Sequence, residues 1–494
     1  MISTSIKILT MVLMLADLGF CIVTGLRKKA VIKDADDFFI AGKRTGTLFL
    51  TMTAFASLLG AGLFIGQAGR GYAYGIAAYW QLFGEGIVAG IVMALIIGPY
   101  LARFKCYSMA HFIGSHICGG DPTVRRIAGV ANFLPNMLWA GAQIMGISYV
   151  VQELFGMDYR LVAIICGAVF IFYTTCGGVA SVIVTDFLHG TIALVTCFLV
   201  IFFGFHMMHV DFGGFAGFKA TIIATDPSKW DMSTMTPMQI ITAFLTGFLG
   251  TLANPIYWNR AFASKDASTC RRAYAFAFTV GTIIPLCTIM LGLLAFLYNK
   301  GIGDQALVWL VLHKMPGYMT ACLALAVLAA TLSSADTHLN CASANIVADV
   351  IDPEGKLTTE QTIKYSRIAT ILCGVISVSV SLGASMIYNL ANFGYAVCGG
   401  VLIPLFVVGY IMMDKKSEVF SSKLKKSGAI CGMVLGIIVA CVFQGVPALN
   451  AIIGGGVVPG VAATLIGIFA GNAFGKSDLQ ALPSNQDIVN EAVK

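Results

Sequence analysis

Residues 330–337, Ala330-Thr331-Leu332-Ser333-Ser334-Ala335-Asp336-Thr337, put four hydroxyls and a carboxylate inside an apolar stretch running from about Met319 to Val350. Polar oxygens at bilayer depth cost free energy, so they face a partner, a cavity or an ion. A set of oxygens with neither sulfur nor imidazole suits a hard cation such as sodium. The plainer alternative is hydroxyls bonding back to carbonyls of their own helix. It covers the serines and threonines but not Asp336. A second isolated carboxylate is Glu85, in Leu82-Phe83-Gly84-Glu85-Gly86, with no lysine or arginine expected at similar depth in the neighbouring spans. Such a group takes a cation, a solute amine or hydroxyl, or a proton. A protonated Glu85 bonded to a backbone carbonyl is its plain alternative.

The elements that must position these groups are apolar spans. Mean hydropathy is +0.85, and 58% of the 494 residues are hydrophobic against 11% charged. Thirteen runs are long enough to cross a bilayer: about 5–26, 46–68, 74–101, 127–155, 160–177, 179–208, 237–258, 270–298, 317–349, 363–384, 386–413, 427–447 and 450–473. The fifth and sixth are divided by Gly177–Gly178 rather than by charge. An all-α polytopic bundle of about thirteen transmembrane helices is expected. With the N-terminus outside, the inner loops collect 24 of the 31 lysines and arginines, including Arg27, Lys28, Lys29, Lys33, Lys43, Arg44 and the 260–272 and 415–426 segments. That distribution fixes an N-out, C-in orientation in the cell membrane. The formal charge of +7 therefore reflects loop placement in a lipid bilayer, not nucleic-acid binding.

Other classes fall away. Cys166, Cys197, Cys322, Cys398 and Cys441 lie within apolar spans and no C-x-x-C pair occurs, so the 14 cysteines read as small core residues. There is no H-E-x-x-H and no G-x-S-x-G, and His189, His206, His209 and His338 are not at ligand spacing, so the chain is not an enzyme. The first span runs straight into Arg27-Lys28-Lys29 without a cleavage pattern and reads as a retained helix. Asp17 within it reads as peripheral and structural. The polar tail after Gly475 is too short for a nucleotide-binding or signalling domain.

Two spans carry backbone breakers at corresponding positions. The second holds Ser57-Leu58-Leu59-Gly60-Ala61-Gly62; the seventh holds Thr246-Gly247-Phe248-Leu249-Gly250-Thr251 and then Asn254-Pro255. Lying five spans apart, they run in opposite directions, the pattern of a transporter's midplane site built from inverted halves. Glycines used only for close helix packing are the alternative. Carbonyls freed by unwinding cannot stay bare in hydrocarbon and must line a wet or ion-filled cavity.

Four ordered strings carry a resemblance: Asp37-Phe38-Phe39-Ile40-Ala41-Gly42-Lys43 with Phe64-Ile65-Gly66-Gln67-Ala68-Gly69-Arg70-Gly71-Tyr72; Tyr173-Thr174-Thr175-Cys176-Gly177-Gly178 with Thr185-Asp186; Pro255 with Arg260, Ala261, Ser264-Lys265-Asp266 and Arg271-Arg272; and Ser333-Ser334-Ala335-Asp336-Thr337-His338-Leu339 with Ala342-Ser343 and Asp349. With these the chain resembles the sodium/solute symporter family, which includes sodium-coupled proline, pantothenate, sialic acid and glucose transporters. The resemblance implies a LeuT-type 5+5 inverted repeat with flanking helices. It divides the chain into a first helix and inner loop (1–44), a first five-helix repeat (45–208), an outer loop (209–236), a second inverted repeat (237–413), two further helices (414–475) and a short cytoplasmic tail (476–494).

Carried over residue by residue, the core sodium site uses the carbonyls of Ala56, Leu59 and Ala330 and the hydroxyls of Ser333 and Ser334. Asp186, with Ser333 and Thr337, matches a second sodium site found in some members. Asp336 stands where some relatives have serine, so a second sodium, a proton shared by Asp186 and Asp336, or a plain interhelical hydrogen bond are all allowed. The solute cavity implied by the resemblance takes Leu63, Gln67, Gln81, Glu85, Gly247, Gly250, Thr251 and Asn254, with Phe393 or Tyr395 as a lid. Leu58 replaces the proline transporters' aspartate, Gly247 and Thr251 replace their aromatics, and Leu63 replaces a sugar-contacting polar residue. Neither proline nor glucose is thereby indicated. The expectation is sodium-coupled symport of a small polar organic solute (amino acid, carboxylate, vitamin or sugar-like) by alternating access, for which a monomer suffices. The alternative is proton coupling through Glu85, Asp186 or Asp336.

Overall fold

The computed structural model describes residues 3–29, 39–384, 386–414 and 421–475, without the side chains of 28, 29, 173 and 176–181. Lys33, Asp37, Phe38, Lys415, Lys416, the Gly177–Gly178 division and the 476–494 tail thus lie outside the described residues or side chains. With no water in a bilayer to satisfy peptide groups, apolar spans bond internally as helices. No multi-residue strand occurs among the described residues.

Helix α1 is Thr4–Lys29. A broken pair follows, α2 (Thr47–Leu58) and α3 (Gln67–Tyr74), joined through the π-helical turn Gly62–Gly66. Gly75, at φ +64°, reverses the chain into α4, residues 79–101, which contains the π-helical segments Phe83–Val88 and Met93–Ile97. Helix α5 (Pro122–Phe155) starts at Asp121, whose carboxylate accepts from the Thr123 and Val124 amides, and stops at left-handed Gly156. Spans α6 (Tyr159–Phe172) and α7 (Val182–Phe212) come next. Helical bonding is continuous from Tyr159 to Phe212. Gly167 of α6 packs against Ile144 of α5, and Thr196 of α7 donates to the Cys322 carbonyl at 3.5 Å.

The second half opens with α8 (Pro237–Ala253), begun by a capping box of Thr236 and Gln239, then α9 (Pro255–Ala263) and α10 (Ala267–Tyr298). Helix α11 is Tyr318–Ala344 and α12 is Thr359–Gly383, the latter begun by a Thr358–Gln361 capping box. Span α13 is Ile387–Met412, and α14 (Lys426–Gly445) and α15 (Val457–Phe474) close the described chain. Helix α11 is the axis of the bundle. Its most apolar window is 83% buried, against 17% for peripheral α1.

Three expectations need adjustment. Ten helices among the described residues are long and apolar enough to cross a membrane. A count of thirteen requires adding Pro122–Phe155 and Tyr159–Phe172 and dividing Gly62–Leu101 at Gly75. In the seventh span, α8 runs unbroken through Gly247 and Gly250, and the interruption falls at Asn254–Pro255, where proline cannot supply a ladder amide. Arg260, counted above among loop charges, is fully buried in α9.

Candidate functional site

The α2 ladder stops when the Leu59 amide bonds the Phe55 carbonyl, and it resumes when the Leu63 and Phe64 amides both bond the Gly60 carbonyl. The carbonyls of Ala56, Ser57 and Leu59 are thereby taken out of the helix. Side chains from two distant helices fill the gap. The Ala61 amide, which would have served Ser57, donates to Gln143 Oε1 of α5 at 2.7 Å. The Ser57 carbonyl accepts from the Ser334 hydroxyl of α11 at 3.1 Å. A Cβ at Gly60 would stand 2.5 Å from Ser334 Oγ and 2.7 Å from Gln143 Oε1. Only glycine allows this approach. Ser333, one residue earlier on α11, is fully buried and its hydroxyl has no hydrogen-bond partner among the described residues.

Beside this break lies a charged knot. The Arg260 Nη2 group of α9 donates to Ser57 Oγ of α2 at 3.1 Å, Asp186 Oδ2 of α7 at 3.0 Å and Thr337 Oγ1 of α11 at 2.6 Å. Thr53 of α2 also donates to Asp186 Oδ2. One guanidinium therefore ties together four elements of the bundle. Both Arg260 and Asp186 are fully buried, so each charge depends on the other. Asp336 is equally buried, with its Oδ1 3.4 Å from the Thr337 hydroxyl.

The two breaks meet in a narrow cavity of about 60 Å³. Of the expected solute residues, Leu63, Gln67, Gln81, Glu85, Asn254 and Tyr395 line it. Gly247, Gly250, Thr251 and Phe393 do not. Gly247 lies against the Gln81 backbone, Gly250 lies under the Tyr395 ring, and Phe393 is turned toward Gly445. Thr251 is buried nearby in α8. Trp139, Gln143, Tyr257, His338 and Tyr388 also line the cavity and were not expected there. Gln143 as a rare amide in a long apolar helix, and His338 at the end of the Ser-Ser-Ala-Asp-Thr run, were the available signals.

Glu85 is not isolated, contrary to expectation. Its Oε1 accepts from the Tyr395 hydroxyl at 2.8 Å and its Oε2 from Gln67 Nε2 at 3.2 Å. The same Gln67 amide accepts from Arg70 Nη1 at 3.0 Å. Arg70 is 1% exposed and lies 4.3 Å from the Tyr388 ring centroid. Gly75 delivers α3 and α4 side by side, which puts Arg70 at the depth of Glu85. Tyr388 also donates to Gln81 Oε1, and Gln81 Nε2 donates to Asn392 Oδ1 at 2.9 Å. This layer separates the small cavity from a vestibule of about 520 Å³ lined by Arg70, Lys229, Gln239, Asn389, Asn392 and Gln444, on the side of the 209–236 loop.

Comparison with known proteins fits this geometry. The family described as "Sodium:solute symporter family" matches residues 38–436. The osmoregulated proline transporter OpuE of Bacillus subtilis is 22% identical over 417 residues, with 82% of each chain covered. A sodium/proline symporter of Staphylococcus aureus is 22% identical over 437 residues, covering 84% of this chain and 82% of that one. A solved Na+-coupled sialic acid symporter, substrate-bound and outward-open, superposes with a TM-score of 0.72 at 19% identity, covering 95% of this chain and 99% of the other. At that identity the likeness establishes the fold.

Proposed function

We propose that this chain, which belongs to the sodium:solute symporter family, is a multi-pass membrane protein that couples sodium entry at the α2 break to import of a small zwitterionic solute. The observation that carries this reading is the meeting of unladdered α2 carbonyls with the α11 serines. Ala56, Leu59 and Ala330 would offer carbonyls and Ser333 and Ser334 hydroxyls, five neutral oxygens for a hard monovalent cation. The Ser334 hydroxyl gives its hydrogen to Ser57 and keeps lone pairs for the ion. Charge placement across the sequence supports N-out, C-in, with the 209–236 vestibule outside.

The Asp186 group serves as a latch between α2, α7, α9 and α11 rather than as a second cation site. A guanidinium 3.0 Å from the carboxylate repels a further cation and removes the need for a bound proton. Ser333, adjacent to Ser334, connects to that latch through Thr337, whose hydroxyl donates to the Ser333 carbonyl at 2.8 Å and accepts from Arg260, so sodium occupancy would be felt there. A ligand shifts the balance of states only by binding them unequally. Sodium does so if the break spreads when the latch opens.

The solute class follows from Arg70, Gln67 and Glu85. The Gln67 amide donates to the carboxylate and accepts from the guanidinium, as the ammonium and carboxylate of an amino acid would. Such a solute replaces a neutral bridge with matched charges at both ends. That the relatives include proline transporters agrees with this class. The test is a thermal-shift and proteoliposome-uptake screen with and without sodium, comparing amino acids with their des-amino and amide analogues. A zwitterion should stabilise the fold only with sodium, and Glu85→Gln should weaken it at least about tenfold. Equal binding of a ligand lacking the amine, in wild type and Glu85→Gln alike, would overturn the solute class.

A further inference from the structure

Outside this site, three ligating side chains of different chemistry meet where α1 packs on α7. Asp17 and Cys21 stand one turn apart on α1, and His189 faces them from α7. Their exposures are 6%, 0% and 0%. His189 Nε2 lies 3.2 Å from Asp17 Oδ1 and 3.5 Å from Cys21 Sγ, and the three ligand atoms fall within 4.8 Å of one another. Asp17 Oδ2 and His189 Nδ1 have no hydrogen-bond partner among the described residues although both are buried. The sequence separates His189 from Cys21 by 168 positions, which is why histidine spacing alone did not reveal the cluster.

We propose that Asp17, Cys21 and His189 form a binding site for a divalent transition metal of the zinc type, with three protein ligands and an open fourth position. The metal–ligand distances of about 2.0–2.3 Å in tetrahedral sites require neighbouring ligands about 3.3–3.7 Å apart, close to the separations already present. Sulfur and imidazole select such an ion over sodium, magnesium or calcium. Binding breaks the Cys21 S–H bond and releases its proton to solvent. The imidazole binds through Nε2 with its own proton on Nδ1. Thiolate, carboxylate, neutral imidazole and a divalent cation sum to zero charge, so the complex avoids the penalty for a net charge at bilayer depth. A bound ion would pin α1 to α7 three residues from Asp186. That consequence for transport rests on the latch described above, whereas the binding site does not.

Cobalt(II) is the first probe, added to the purified full chain in detergent, with zinc as competitor. Wild type should show one equivalent of cobalt with thiolate-to-cobalt absorption in the near ultraviolet, displaced by zinc. Cys21→Ser should abolish that band, and His189→Gln should weaken cobalt at least about tenfold. Zinc should raise the unfolding midpoint of wild type but not of either variant. Sodium-dependent stabilisation retained in both variants checks that they fold. Cobalt bound with the same band and affinity in Cys21→Ser and His189→Gln, or not bound by wild type at all, would overturn the site and leave the cluster a hydrogen-bonded dock for α1. Loss of zinc's effect on uptake alone, with cobalt binding intact, would count against the latch and not against the metal.

Discussion

The two helix interruptions solve the same problem in opposite ways. At Asn254–Pro255 the break closes on itself. Asn254 Oδ1 accepts from the Ile256 amide at 3.1 Å, the Tyr257 amide returns to the Asn254 carbonyl at 3.1 Å, and Trp258 Nε1 donates to the Leu252 carbonyl at 2.6 Å. At Leu59–Ala61 the backbone borrows Gln143 from α5 and Ser334 from α11. A self-capped break moves as a rigid elbow, whereas a borrowed one changes whenever its lenders move. On the proposed reading, ion sensitivity belongs to the Leu59–Ala61 break, and Arg260, carried by α9 and bonded to Ser57, would transmit it to the Asn254–Pro255 break.

Removing that connection should have the largest effect. Arg260→Gln leaves Asp186 buried without its charge partner and should cost about 3–5 kcal/mol of stability. Calorimetry or thermal shift reads the loss, and adding Asp186→Asn should recover part of it. A double variant as unstable as the sum of the singles would mean that no latch exists. Next is Ser333→Ala with Ser334→Ala, expected to lower sodium-dependent uptake in proteoliposomes by about 100-fold, or roughly 2.7 kcal/mol. Undiminished uptake would remove the sodium assignment. Gln143→Leu strands the Ala61 amide and should cost about 1–3 kcal/mol, with a matching weakening of sodium. Trp258→Phe removes one bond at the self-capped break. It should cost about 1 kcal/mol while the half-saturating sodium concentration for uptake stays within about twofold. If the Trp258 and Gln143 variants shift sodium affinity alike, the contrast between the breaks fails.

The fold and the first break were legible in the sequence because apolar length and the Leu59-Gly60-Ala61-Gly62 run are local signals. The second break was legible only in kind. Gly247 and Gly250 looked like unwinding points but serve close approach, while proline, with no amide to give, sets the true interruption. Long-range pairings left no local trace. Arg260 resembled a loop charge at the end of an apolar span, and Arg70 sits outside the α4 pattern that made Glu85 look alone. Both depend on turns that bring separate helices to one depth, which neither hydropathy nor spacing encodes. His338 and Gln143 could have been picked out as polar residues in apolar helices, though not assigned a side.

The most direct test of the α2–α11 ion site is equilibrium binding of radioactive sodium to the purified chain, wild type against Ser333→Ala with Ser334→Ala and against Gly60→Ala. Saturable binding in wild type, lost in the serine double variant and weakened at least about tenfold by the added methyl group, is the predicted result. Sodium bound with unchanged affinity in all three would contradict it.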